Sequence, residues 1–171
     1  MSTTICFDFG NTRLKAAIFK GNQLEKLELL ENDGIASVQK LLDQYQPSKT
    51  LLSSVIHHEK AIESLLASYG PFHLLGPQTK LNFTTPVGKP ETIGADRLGL
   101  VAAAVDLYPA EHSLVICLGT CITYNFVNNR GQFLGGSISP GMHMRFKSMN
   151  DLTALLPLID PAPSFGLVGY D

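Results

Sequence analysis

Asp8, Gly10, Asn11 and Thr12 fall within one short stretch, and Lys15 follows shortly after. A carboxylate beside a glycine turn with two hydrogen-bonding side chains suits phosphate chemistry. Backbone N–H groups and the Thr12 hydroxyl would contact anionic oxygens, Lys15 would add a point charge, and Asp8 would hold Mg²⁺ directly or through water. A plain hairpin turn also favours Asn and Gly, so the motif alone does not decide the matter. Gly119-Thr120, with Thr123 close behind, offers the same groups a second time. Two such turns facing one another are what a nucleotide held in a cleft requires, although the second by itself also reads as a hairpin with a threonine-stabilised turn.

Ile93-Gly94-Ala95-Asp96-Arg97 stands where a helix should begin, and there backbone donors and the helix dipole favour negative charge. Asp96 serves either as a helix-stabilising acid or as a base that accepts a hydroxyl proton, with Arg97 gripping a substrate carboxylate in its planar fork. Gly135-Gly136-Ser137-Ile138-Ser139-Pro140-Gly141 allows close approach to a ligand or partner chain. It also fits a connector into a helix started by proline. His57, His58 and His143 have no convincing companions and read as solvated. Tyr124, Phe126, Phe133 and Phe146 read as core or interface residues.

These groups must be positioned by regular elements. Thr4 to Phe9, Leu14 to Phe19 and Gln23 to Leu30 read as three consecutive antiparallel strands separated by Gly-Asn turns. Ile35, Val38, Leu41 and Leu42 fall at helical spacing ahead of Pro47. A strand over 50–55, a helix over 59–69 and a strand over 72–75 follow, an alternation that implies parallel pairing under helices. The stretch 76–93 is a loop, blocked by Pro77, Pro86 and Pro90, and it ends at a helix over 95–107 that should be deeply packed. After Pro109 the opening recurs as strands over 113–117, 122–127 and 132–134, and a helix over 140–156. The chain therefore reads as a duplicated unit, with residues 1–110 as the first domain and 111–171 as the start of a second that is cut short.

At 171 residues the chain has room for a sizeable core. Its hydrophobic share is 44% and its charged share 16%, against a usual charged share of about 25%, so the chain should fold. Thirteen Lys+Arg against fifteen Asp+Glu give a net charge of -2, which removes the positive field that nonspecific nucleic-acid binding needs. No apolar run approaches the ~20 residues of a membrane span, and the start lacks a secretory signal. A cytoplasmic protein without membrane or nucleic-acid partners is expected. Cys6, Cys117 and Cys121 read as free, buried thiols of a reducing compartment.

In order and spacing the motifs resemble the type III pantothenate kinases of the actin, Hsp70 and sugar-kinase superfamily. The matching stretches are Asp8 to Thr12 with Lys15, Pro90 to Arg97, Gly119 to Thr123, Gly135 to Gly141 and Leu155-Leu156-Pro157. The resemblance implies two ribonuclease-H-like domains with mixed sheets flanked by helices, and transfer of the ATP γ-phosphoryl group to the primary hydroxyl of pantothenate, the first step of coenzyme A synthesis. By carry-over Asp96 is the base. Asp8 handles Mg²⁺, Gly10, Asn11, Thr12, Lys15, Gly119 and Thr120 line the phosphate channel, and Gly94, Ala95 and Arg97 hold pantothenate. A homodimer is implied as well. The rival readings are a regulatory relative that has lost catalysis and a sugar kinase of the same superfamily.

Three departures from the family pattern stand out. Cys117 occupies the place of an aspartate that binds an activating monovalent cation, and a thiol is a poor ligand for a hard alkali ion, which argues against a K⁺ or NH4⁺ requirement. Val87 takes the place of a tyrosine near the substrate. The tail Phe165 to Asp171 stops just short of a threonine that contacts substrate in the family.

Overall fold

The computed structural model describes residues 2–32 and 34–160. Strands β1 (Thr3–Phe9), β2 (Leu14–Lys20) and β3 (Gln23–Leu30) form the expected antiparallel run. Helix α1 (Ile35–Tyr45) leads to β4 (Lys49–Ser54), and α2 (Lys60–Ser68) leads to β5 (Phe72–Leu74). Both crossovers return the chain in parallel, β4 against β1 and β5 against β4. The result is a five-stranded mixed sheet in the order β3-β2-β1-β4-β5.

Alternation in β1 sends Ile5, Phe7 and Phe9 to one face, where they are buried with Ala16 and Ile18 of β2 and Leu52 of β4. Val38, Leu41 and Leu42 of α1 and Ile62 and Leu66 of α2 cover that face at helical spacing. Asp8 therefore belongs to the opposite face. His58 is not solvated as expected: its ring bonds Ser54 Oγ at 3.0 Å and Glu63 Oε1 at 3.1 Å, clamping the link from β4 into α2.

After the proline-rich loop, which holds only a 3-10 turn at Pro90–Thr92, α3 runs over Ala95–Leu107. It is less deeply packed than expected, since Leu98, Val101 and Ala104 are buried while Leu107 is 68% exposed. Strands β6 (Ser113–Leu118), β7 (Cys121–Val127) and β8 (Phe133–Pro140) make a second, antiparallel sheet, and α4 covers Met142–Asp151. Two boundaries depart from expectation. The glycine-rich stretch is most of a strand rather than a connector, because Gly135 and Gly136 pair with Phe126 and Asn125 and the ladder continues to Pro140 opposite Cys121. The helix expected from Pro140 accordingly begins only after Gly141 and stops well before Leu156.

The second core joins residues from both halves of the chain. Ile93, Leu98 and Val101 pack with Val127 and Phe133, and Leu81, Phe83 and Val87 of the loop close over them. The loop is pinned in place by backbone bonds from Thr84 to Gly131 and from Phe133 to Thr84. The three cysteines are free, as expected, but only half-buried. Among the described residues no helix is long and apolar enough to cross a membrane. The tail from Phe165 lies outside the described residues.

Leu52, fully buried, is expected to cost about 2–5 kcal/mol when cut to alanine. Leu118→Ala, at a side chain 77% exposed, should change stability by less than about 0.5 kcal/mol. Urea unfolding of both variants checks the assignment of inner and outer faces.

Candidate functional site

Hairpin β1–β2 ends with Phe9 opposite Leu14, and Gly10 N donates to the Arg13 carbonyl at 3.2 Å to close the turn. Asn11 and Thr12 stand exposed at its tip. Asp8 pairs across the sheet with Lys15 on one side and Ser53 on the other. The Lys15 ammonium lies 3.9 Å from Asp8 Oδ2, and the Ser53 hydroxyl donates to Oδ1 at 3.5 Å. Beside this turn a groove of about 190 Å³ opens between Thr12, Arg13 and the end of β3 at Leu29 and Leu30.

The second turn, Gly119-Thr120, follows β6 as the first follows β1. Gly119 N donates to the Cys121 carbonyl at 3.1 Å, and Gly141 N donates to the Thr120 carbonyl at 2.9 Å. Gly141 has to be a glycine here, since a Cβ would stand 2.2 Å from the Gly119 carbonyl oxygen. The close approach expected of the glycine-rich stretch is thus made to the chain's own turn. The two turns meet where Thr12 Oγ1 and Thr120 Oγ1 form a hydrogen bond.

Helix α3 brings in the third group. Its N-cap is Gly94, not Asp96, and no side chain caps it. Asp96 sits at the second helical position, where Oδ1 accepts the Arg97 backbone N–H at 2.8 Å. Gly94 makes room for that carboxylate, because a Cβ on it would lie 2.6 Å from Asp96 Oδ1. Arg97 points across to the second sheet, donating from Nε to Asn125 Oδ1 at 2.6 Å and lying over the Phe133 ring at 5.6 Å. Ala95 is the first residue of the helix.

The charge of Asp96 reaches the Asp8 carboxyl. Burial raises the Asp8 carboxyl above its ordinary value, Lys15 pulls it down, the Asp96 charge raises it again, and the Ser53 hydrogen bond lowers it. The structure therefore links Thr12 to Thr120, Lys15 to Asp8, and Asp8 to the charge of Asp96, while Arg97 turns to the second sheet. Cys117 lies within β6, opposite Thr123.

Asn125 and Ser53 escaped the sequence reading. In β7 the apolar alternation is inverted, with Thr123 and Asn125 buried and Phe126 half-exposed against the His112 ring, so the inward face carries polar residues. A strand whose period-2 interior reads Thr-Asn-Val is the signal that could have found Asn125.

The raised Asp8 pKa means folding favours its protonated form. The stability this group contributes is complete below the ordinary carboxylate range and is lost as pH rises through the raised value. Asp8→Asn is therefore expected to raise the melting temperature of the ligand-free chain at pH 7, with the advantage gone near about pH 3. A variant less stable than wild type at pH 7 would contradict the assignment.

The family model for type III pantothenate kinase matches residues 4–169. Curated type III pantothenate kinases from Christiangramia forsetii, Porphyromonas gingivalis and Bacteroides fragilis are 40%, 36% and 35% identical over 96%, 95% and 91% of this chain. The chain spans 69%, 66% and 64% of their respective lengths. Among solved structures, a Campylobacter jejuni protein assigned to the Baf family of transcriptional activators superposes with a TM-score of 0.56 at 23% identity, covering 87% of this chain and 60% of that one. That likeness is one of fold. With the family model matching residues 4–169 and a curated relative 40% identical over 96% of this sequence, the chain belongs to the type III pantothenate kinase family.

Proposed function

We propose that the chain provides the cleft in which the ATP γ-phosphoryl group passes to the primary hydroxyl of pantothenate, giving 4′-phosphopantothenate. The observation that carries this reading is the hydrogen bond by which two threonine-bearing turns meet, next to the Asp8 carboxylate, which the charge of Asp96 reaches. Phosphoryl transfer asks mainly for positioning and for neutralisation of phosphate charge, and this arrangement supplies both.

Each residue has a definite task. Asp96 Oδ1 is occupied by the Arg97 N–H, which leaves Oδ2 to accept the hydroxyl proton of pantothenate as its oxygen attacks the γ-phosphorus and the bridging bond to the β-phosphate breaks. Lys15 and the N–H groups of Asn11, Thr12 and Thr120 oppose the charge of the phosphates, while Gly10 and Gly119 spend their own N–H groups on closing the two turns and let the phosphates approach. Gly94 keeps the Asp96 carboxylate accessible, Ala95 starts the helix that presents it, and Arg97 takes the pantothenate carboxylate.

Asp8 suits Mg²⁺, being a half-exposed oxygen donor at the mouth of the cleft. Among the described residues no three His, Cys, Asp or Glu side chains gather there, so nucleotide oxygens and water would complete the shell. The ion, when bound, neutralises phosphate charge. A potassium or ammonium site at Cys117 does not fit, because sulfur is the wrong donor for a hard monovalent cation. Family membership further supports a homodimer working in the cytoplasm, with residues 1–110 and 111–171 contributing the two walls of the cleft. These assignments favour the kinase over a regulatory relative, since both carboxylates, Lys15 and Arg97 are present.

Incubation of the chain with pantothenate, ATP and Mg²⁺, followed by mass-spectrometric detection of 4′-phosphopantothenate, tests the reading. Product is expected, and its absence from a folded chain would overturn it. Asp96→Asn should lower turnover at least ~10²-fold, as loss of a general base does, without altering the fold; near wild-type turnover would contradict the base assignment. Cys117→Asp should create stimulation by potassium, and rates indifferent to potassium in both forms would contradict the account of that position.

A further inference from the structure

Asn125 is fully buried, yet its amide is saturated by partners from three elements. The nitrogen donates to the Val115 carbonyl and to Thr123 Oγ1, each at 3.3 Å. With both donors committed within the second sheet, the oxygen is left facing α3, and Arg97 Nε donates to it at 2.6 Å. The opposite amide orientation would set donor against donor. Gly136 completes the arrangement, since a Cβ there would stand 3.2 Å from Arg97 Nη2 and 1.7 Å from the Tyr124 carbonyl oxygen.

A guanidinium offers a carboxylate two parallel-donor edges, Nε with one Nη, or the two Nη atoms together. Asn125 consumes Nε. Among the described residues the Nη atoms make no side-chain or backbone hydrogen bond, and the Phe133 ring supports the guanidinium from one face.

We propose that Asn125 is a positioning residue for substrate selection: by holding Arg97 Nε it presents the Nη1/Nη2 edge as the fork that takes the substrate carboxylate. The proposal rests on the assignment of Arg97 to pantothenate made above. Its consequence is specific. Losing Asn125 should weaken recognition of the carboxylate and leave recognition of the rest of the substrate, including its hydroxyl end at Asp96, in place. A residue that merely ties α3 to the second sheet would affect every ligand alike.

Calorimetric titration of the full chain with pantothenate and with pantothenol, in which an alcohol replaces the carboxylate, makes the distinction. Wild type should prefer pantothenate, Arg97→Met should abolish the preference, and Asn125→Leu should cut it by about tenfold, the scale of one hydrogen bond to a charged group. Asn125→Asp retains an acceptor for Nε and should retain the preference. If Arg97→Met abolishes the preference and Asn125→Leu leaves it intact, the positioning role is wrong while the Arg97 assignment stands. A wild-type chain without the preference overturns the Arg97 assignment and the proposal with it. Should Asn125→Leu fail to fold, Asn125→Ser carries the same comparison. In the ligand-free wild type, the Arg97 Nε proton should exchange slowly by NMR; exchange at the solvent rate would also overturn the proposal.

Discussion

Helix α3 is fixed against the second sheet by packing and by one charge-assisted hydrogen bond. Leu98 and Val101 enter the second core with Ile93 just ahead of the helix, and Arg97 donates to Asn125 in β7. Asp96 stands between Ile93 and Leu98 in the chain, so its carboxylate cannot move far without pulling an apolar side chain out of a packed interior. Gly94 enters the helix without a side chain, which leaves the Asp96 carboxylate the space that a Cβ would take. The position of the candidate base is thus set by burial on one side and a charge-assisted hydrogen bond on the other.

The two turns assigned to phosphate have similar backbones but differ in the side chains behind them. Asp8 stands two residues before Gly10, and Cys117 stands two residues before Gly119. Each lies near the end of the first strand of its sheet, beside the hairpin turn. One copy keeps an oxygen donor raised in pKa by burial and by Asp96. The other carries a half-buried thiol. In the proposed reading each turn offers a backbone cradle, and the side chain behind it would decide whether a cation binds there. A carboxyl raised in pKa by burial at Asp8 is the kind of cost expected where a bound ion would offset it.

Much of this was legible in the order of residues. Strands with regular alternation over a buried face, such as Ile5-Cys6-Phe7-Asp8-Phe9, disclose both their extent and the side on which Asp8 lies, and α3 is delimited by Gly94 at one end and Pro109 beyond the other. The length of β8 was hidden because glycine and serine give no hydrophobic period, although Gly136 is what allows the strand to pair so closely with β7, where a Cβ would stand 1.7 Å from the Tyr124 carbonyl oxygen. Asn125 was hidden for the complementary reason. Its strand turns polar residues inward and apolar ones outward, so a reading that sends Tyr124 and Phe126 to the core selects the wrong face. The hydrogen bond from Arg97 to Asn125 joins residues far apart in sequence, and only the assembled sheet reveals it.

The account stands on the two turns acting as one binding site. Titrating ATP with Mg²⁺ into the isotope-labelled chain and following backbone amides by NMR tests this directly. The amides of Gly10, Thr12, Gly119 and Thr120 are expected to shift together along a single binding curve, since one nucleotide bridges both cradles. Shifts confined to one turn, or to neither, would contradict a shared phosphate cleft and with it the proposed chemistry.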